Sequence, residues 1–396
     1  MDYVRGMFRG VVAAFAAFAV MALLAAGALA WLGAPVNWSF IATVLAAAMG
    51  GPASLTGSVD AGRMTAAVDG TVGVLPLGLA APGALVFCAV LAGPARTTLR
   101  AVAVRAAGAA VATAAVLVAV LAAGDGRLRI ALPVGNTGTV RETLLVVRPD
   151  AGAAVLGGLI AFVVLVGFCV LRVLRPVGRI VARIALLGMI VPTLIGLVAA
   201  LVVAAQRPPV AGVAVLFGAN AVLVAVLTGF GAAPPAVLSG PVMTRLHGGH
   251  GGENWLLGGT AGSVAVRFAA LVAFILLCAA VLAAVPPGPG TGRWQRAGLR
   301  SAAAGVTLTV VLAGMSAAGA GSVGLGVSVL FLNAQVLGLQ VAPAVGWALL
   351  AGTVSGGLAG LVGSLVADAR ATPAAAPVEP APQPLPRARD GAGERR

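Results

Sequence analysis

The feature that most restricts this chain is the recurrence of long apolar runs almost free of charge. A helix crossing a bilayer needs about 20 consecutive apolar residues, because no backbone N–H or C=O can be left unpaired in lipid. Eight stretches meet this requirement: Val11–Leu32, Val74–Gly93, Ala106–Ala123, Gly152–Leu171, Ile184–Ala205, Val264–Val285, Ser301–Ala320 and Ala344–Val366. A ninth, Ala211–Phe230, is also long enough. Over 396 residues the chain is 60% hydrophobic and 9% charged, with a mean hydropathy of +1.07. A soluble domain carries about 25% charged residues, so nucleic-acid-binding folds and cytosolic enzymes are excluded. What remains is an all-α polytopic membrane protein.

The charge then orients it. The net charge of +14 comes from 25 basic and 11 acidic residues, and every basic one is Arg. That removes P-loop and Schiff-base lysine chemistry. Arginines gather on cytoplasmic connectors near helix ends, and three connectors carry them without any acid: Arg96, Arg100 and Arg105; Arg172, Arg175, Arg179 and Arg183; and Arg293, Arg296 and Arg300. The intervening loops are mixed, with Asp60, Arg63 and Asp69 in one and Asp125, Arg127, Arg129, Arg141, Glu142, Arg148 and Asp150 in another. Both termini are therefore expected in the cytoplasm, with the eight spans arranged as four hairpins. By parity, Ala211–Phe230 becomes a re-entrant or interfacial segment, and the short Phe40–Gly51 stretch is read the same way. The organisation is a cytoplasmic N-terminus over residues 1–10, a transmembrane domain over 11–366 and a disordered Pro- and Arg-rich cytoplasmic tail over 367–396. The apolar run after Arg9 exceeds the 7–15 residues of a signal-peptide core and reads as an uncleaved first span.

An internal repeat marks the external loops. Val72–Pro76, Leu145–Pro149 and Leu339–Pro343 share the pattern [VL]-x-V-x-P, each at the threshold of a returning helix. Alternating β-branched residues favour an extended strand, and Pro suits a first helical turn. Met64–Val74, Arg127–Pro133 with Glu142–Val147, and Val327–Val341 are β-flavoured upstream, so short β-like external elements are expected, with the hairpin spanning Ile184–Val285 diverged.

The run Gly50-Gly51-Pro52 to Thr56-Gly57-Ser58-Val59, continuing through Leu75-Pro76-Leu77-Gly78, resembles the opening of the streptophobe family of actinobacterial membrane proteins. Phe217-Gly218-Ala219-Asn220 leading to Gly229-Phe230-Gly231, and Gly321–Val329, are similar to it too. The resemblance covers the layout of roughly residues 1–366. It implies a multi-span cytoplasmic-membrane protein of high-GC bacteria and brings no catalytic residues.

Few residues carry chemistry. His247, His250 and Glu253 lie at spacings short enough for Zn²⁺ ligation, but their glycine-rich flanks give no rigid face, and a flexible polar loop is the better reading. Cys88, Cys169 and Cys278 fall inside spans and behave as small hydrophobes. Asn220, Arg267, Asn333 and Gln335 are polar groups near membrane depth, where such residues mark substrate paths. Arg267 is close enough to the start of its span to reach the interface. Asn220, after a Phe-Gly break, is the better candidate for a transporter-like path. Small-residue spacings such as Gly356, Gly360 and Ser364 point to tight helix packing. No cofactor is expected, and no nucleic acid. The expected partner is the bilayer, with anionic lipid within reach of the cytoplasmic arginines; the oligomeric state is left open. Two functions stay in play: a non-enzymatic structural, envelope or regulatory protein, and a permease for small solutes or lipids with its site near Asn220.

Overall fold

The computed structural model describes residues 2–61, 64–93, 98–134, 139–173, 177–204, 207–229, 236–239, 292–329, 332–342 and 345–370, with scattered helical positions between 272 and 283. The helices are α1 (Asp2–Trp31), α2 (Trp38–Ala48), α3 (Leu77–Ala92), α4 (Leu99–Ala123), α5 (Ala151–Val173), α6 (Val177–Ala204), α7 (Pro208–Gly229), α8 (Arg293–Gly319) and α9 (Val345–Arg370). The strands are β1 (Ala53–Ala61), β2 (Met64–Val74), β3 (Gly126–Val134), β4 (Thr139–Pro149), β5 (Ala236–Ser239), β6 (Gly321–Val329) and β7 (Leu332–Val341).

Five helices among the described residues are long and apolar enough to cross a membrane, over Tyr3–Trp31, Leu99–Ala123, Ala151–Val173, Ala297–Gly314 and Val345–Ala369. They keep large apolar side chains on their outer surface: Leu156, Leu159 and Val163 on α5, Val306 and Val310 on α8, and Leu350, Val354 and Leu358 on α9. These residues recur at helical spacing, and such stripes are stable only against lipid or another apolar surface. The chain is a helical membrane protein. The α3 helix falls short of a full crossing, with 16 residues and Pro82 inside it.

Between the helices the packing runs on small residues. Without a hydrophobic drive in lipid, helices associate through close backbone approach. On α9, a Cβ at Gly356 would stand 2.6 Å from the Ala304 carbonyl oxygen, and one at Gly360 would stand 2.6 Å from Ser301 Cα. Ser301 Oγ donates to the Gly357 carbonyl at 2.7 Å, and the Thr309 and Thr353 hydroxyls pair at 2.9 Å. The glycine spacing read from the sequence is therefore internal packing between α8 and α9. Gly10 and Gly108 play the same part between α1 and α4, and Gly196 and Gly218 between α6 and α7.

The all-α expectation needs correction, because among the described residues the β-like elements assemble into one seven-stranded antiparallel sheet, ordered β3-β4-β1-β2-β6-β7-β5. Three hairpins supply six strands, each continuous with helices: β2 leads to α3, α4 to β3, β4 to α5, α8 to β6 and β7 to α9. The register sets the helix-joining ends in one row, with Ala53 opposite Val72 and Pro149, Val74 opposite Gly321, and Val341 opposite Gly321 and Ala236. The hairpin tips point the other way. Strands of nine to eleven residues stand about 30 Å tall on the ends of the helices. Alternation gives the sheet two unlike faces: Leu55, Val68, Val72, Leu145 and Val147 share one, and the exposed Ser54, Thr56, Ser58, Asp69, Thr71 and Arg148 share the other. The [VL]-x-V-x-P segments Val72–Pro76 and Leu145–Pro149 occupy the returning strand and its junction with the next helix, as their pattern predicts, and the described part of the third, Leu339 to Ala342, covers the end of β7. The diverged hairpin contributes the four-residue β5, paired with the end of β7.

Each strand-bearing helix thus has a sheet end and a far end. The Arg-bearing positions of α4, α5, α6 and α8 that the sequence singled out, Arg100, Arg105, Arg172, Arg179 and Arg300, lie toward the far ends.

The segments expected to be re-entrant or interfacial are both helices. The short α2 is capped by Asn37, whose Oδ1 accepts from Phe40 N at 3.0 Å. Its Thr43 Oγ1 donates to Gly124 O at 2.9 Å, and Ser39 Oγ donates to Asp125 O, which fix it against the α4–β3 turn. The α7 helix meets the last turn of α1 through Gly212 and Leu32, the first turn of α3 through Val215 and Gly78, and the last turn of α8 through Leu223 and Gly319. All three partners are at the sheet end. The helix therefore lies across the ends of its neighbours, and Leu223 on one side and Val215 and Leu216 on the other join two separate apolar clusters.

Candidate functional site

Where α7 crosses the start of α3, the chain places its most informative polar side chain. The first N–H groups of a helix have no partner inside it, and an Ncap side chain ordinarily supplies one. At α3 the cap position is Pro76, which has no side-chain acceptor. Asn220 supplies it from another helix: its Oδ1 accepts from Leu77 N at 3.0 Å, and its Nδ2 donates to the Leu75 carbonyl at 2.9 Å. Asn220 is 7% exposed, and both ends of its carboxamide are engaged with backbone.

One turn further along α7 is a cavity of about 10 Å³ lined by Leu223, Val224, Ser316, Gly319, Ala320 and Val341. That is room for roughly one water, and its walls are apolar apart from Ser316. The junction holds the β2–α3 corner, α7 and the α8–β6 corner together. Its arrangement is that of a structural clasp.

A second polar knot sits at the base of β3 and β4. Arg148 Nε and Nη2 donate to Asp125 Oδ1 and Oδ2, both at 3.1 Å, a forked pair exposed to solvent. Asp150 Oδ1 accepts from Ala153 N at 3.0 Å and caps α5. Here the mixed charge of the loop becomes helix and hairpin termination.

A third lies at the far end. Arg105 is buried in α4, and its Nη1 donates to the carbonyls of Leu91 and Ala92 at 3.0 and 3.1 Å. It thereby satisfies two of the four carbonyls that the end of α3 leaves open. The sequence identified Arg105 only as a topology marker; nothing in its spacing points to the end of α3.

The other sequence candidates divide plainly. His247, His250, Glu253 and Arg267 lie outside the described residues, as do the side chains of Asn333 and Gln335. Cys88 and Cys169 are buried in one cluster between α1, α3, α4 and α5, and Cys278 lies in another with α8 and α9. Among the described residues no three His, Cys, Asp or Glu side chains converge as a metal site would require. No family model matches the chain, and neither a curated protein nor a solved structure shows significant similarity to it.

Proposed function

We propose that this chain is a multi-pass protein of the cytoplasmic membrane with a non-enzymatic, structural role in the cell envelope, carried by its sheet. Both termini and the arginine-bearing far ends face the cytoplasm on this reading, since basic residues are retained there, and the sheet stands on the opposite side. The sequence resemblance to the streptophobe family implies a multi-span cytoplasmic-membrane protein and is silent on this orientation. One observation carries the reading: three helix-linked hairpins and β5 build a single sheet with a polar face of Ser54, Thr56, Asp69 and Thr71, a surface far larger than any short connector requires. Asn220, the leading candidate for a solute path, has its carboxamide committed to Leu75 and Leu77, which favours the structural role over a permease.

The test is complementation of a deletion strain, scored by sensitivity to envelope stress. Val68→Asp places a charge on the buried face of β2, while Thr71→Asn changes the polar face conservatively. The reading requires that Val68→Asp, inserted at normal levels, fail to complement while Thr71→Asn succeeds. Full complementation by a membrane-inserted Val68→Asp variant overturns it.

A further inference from the structure

At the far end of the bundle, α1 and α4 start side by side. Gly6 packs on Val104, and Gly10 meets the backbone of Arg105 and Ala109. The close approach lets the first turns of both helices line one cleft of about 750 Å³, whose walls include Arg5, Arg9, Arg100, Arg105, Tyr3 and Phe8. Four arginines line this space, and no acid is among its described lining residues. Arg105 is buried, with Nη1 held by the Leu91 and Ala92 carbonyls. Arg100 is stacked on the Tyr3 ring at 5.0 Å. Like charges brought together beside a low-dielectric interior oppose one another, and an oxyanion bound between them reverses the sign of that interaction. Guanidinium groups match phosphate oxygens with paired N–H donors. The exposed Tyr3, Val4 and Phe8 add an apolar wall beside the charge.

We propose that this cleft binds a phosphate group, and that the ligand is the headgroup of an anionic phospholipid whose acyl chains run along Val4 and Phe8. Surface arginines attract acidic lipid in a diffuse way; the cleft adds a fixed position, set by the crossing of α1 and α4 and by the anchored Arg105. The inference is independent of the envelope role, because it concerns the opposite end of the molecule.

The full-length protein is purified in mild detergent, delipidated and incubated with phosphatidylglycerol or phosphatidylcholine, and retained lipid is counted by native mass spectrometry. The variants are Arg9→Gln with Arg100→Gln, and Arg172→Gln with Arg127→Gln as a matched loss of two exposed charges elsewhere. Arg105 stays intact, so α3 keeps its end contacts. The expected result is retention of phosphatidylglycerol over phosphatidylcholine, lowered about tenfold by Arg9→Gln/Arg100→Gln and unchanged by the control pair. Inorganic phosphate is the second arm. Displacement of the lipid by phosphate confirms the shared phosphate chemistry, and phosphate binding without lipid retention assigns the cleft to a soluble phosphate and overturns the lipid assignment. Equal losses in both variant pairs, or equal retention of the two lipids, overturns the site.

Discussion

Asn220 and Leu77 are 143 residues apart in the chain and joined by a 3.0 Å hydrogen bond, through which one helix caps another. The cap is needed because the local sequence cannot make it: Pro76 lacks the side-chain oxygen. Asn220→Ala leaves the Leu77 N–H and the Leu75 carbonyl without their partner, at about 1–3 kcal/mol for each buried group. The thermal transition of the detergent-solubilised protein is expected to fall accordingly. Asn220→Asp keeps an acceptor for Leu77 but sets a second oxygen against Leu75. That variant is weakest at neutral pH and recovers as pH falls, when a protonated carboxyl regains a donor. A transition independent of pH in Asn220→Asp argues against the assigned orientation of the amide.

The glycines of the last two described helices separate by what lies beyond them. Gly356→Leu drives a side chain into the backbone of Ala304 and Gly305, and overpacking of this kind costs about 1–3 kcal/mol or more. Gly298, on α8, faces open space, so Gly298→Ala is expected to raise stability by about 0.5–1 kcal/mol through helix propensity. Comparing the two variants' melting temperatures checks the stripe directly. Equal effects would mean that α8 and α9 do not meet along Gly352, Gly356 and Gly360.

Arg105→Ala removes the donor shared by the Leu91 and Ala92 carbonyls. A hydrogen bond to a charged group is worth about 1.5–3 kcal/mol, so a loss of that order is expected, read as a lowered transition and faster hydrogen exchange at the end of α3. Exposed ion pairs contribute about 0–1 kcal/mol, so Asp125→Asn, which breaks the forked pair with Arg148, is expected to leave stability within that range. The contrast decides whether burial sets the value of these contacts.

Topology is open to chemical labelling. Native Cys88, Cys169 and Cys278 are buried, each at 4% exposure or less, and are expected to stay silent toward a membrane-impermeant maleimide. Thr56→Cys on the polar face of β1 and Arg100→Cys at the far end are both exposed. Thr56→Cys should label on intact cells and Arg100→Cys only after lysis. Labelling of both from one side contradicts the separation of sheet and arginine ends across the membrane.

Much of this molecule was legible in local sequence. Met64–Val74 alternates clearly enough that its expected bounds match β2, and apolar length picks out the five helices that are long enough to cross a membrane among the described residues. Val74–Gly93, by contrast, yields only the 16-residue α3, and Val264–Val285 lies mostly outside the described residues. Ala53–Ala61 carries little strand signal of its own, because Ser, Thr and Gly weaken it and only pairing to β2 and β4 on both sides defines it. Periodicity also could not reveal that separate hairpins share one sheet, since that requires contacts between distant segments. Asn220 stood out as a polar break in an apolar run, yet its partners lie in backbone, where no residue type marks them. The aqueous look of a transport path and the geometry of a helix cap leave the same trace in sequence.

The pairing of β2 with β6 has a consequence for how the protein is made. Ser328 and Asp69, 259 residues apart, face each other at 3.4 Å across that seam. Strand β2 leaves the ribosome long before its neighbour exists, and an unpaired edge is open to wrong partners until then. The sheet can close only after α8 has brought β6 beside β2, so the last two described helices complete it. Truncation before α8 leaves β2 with one flank open and the row of strands divided.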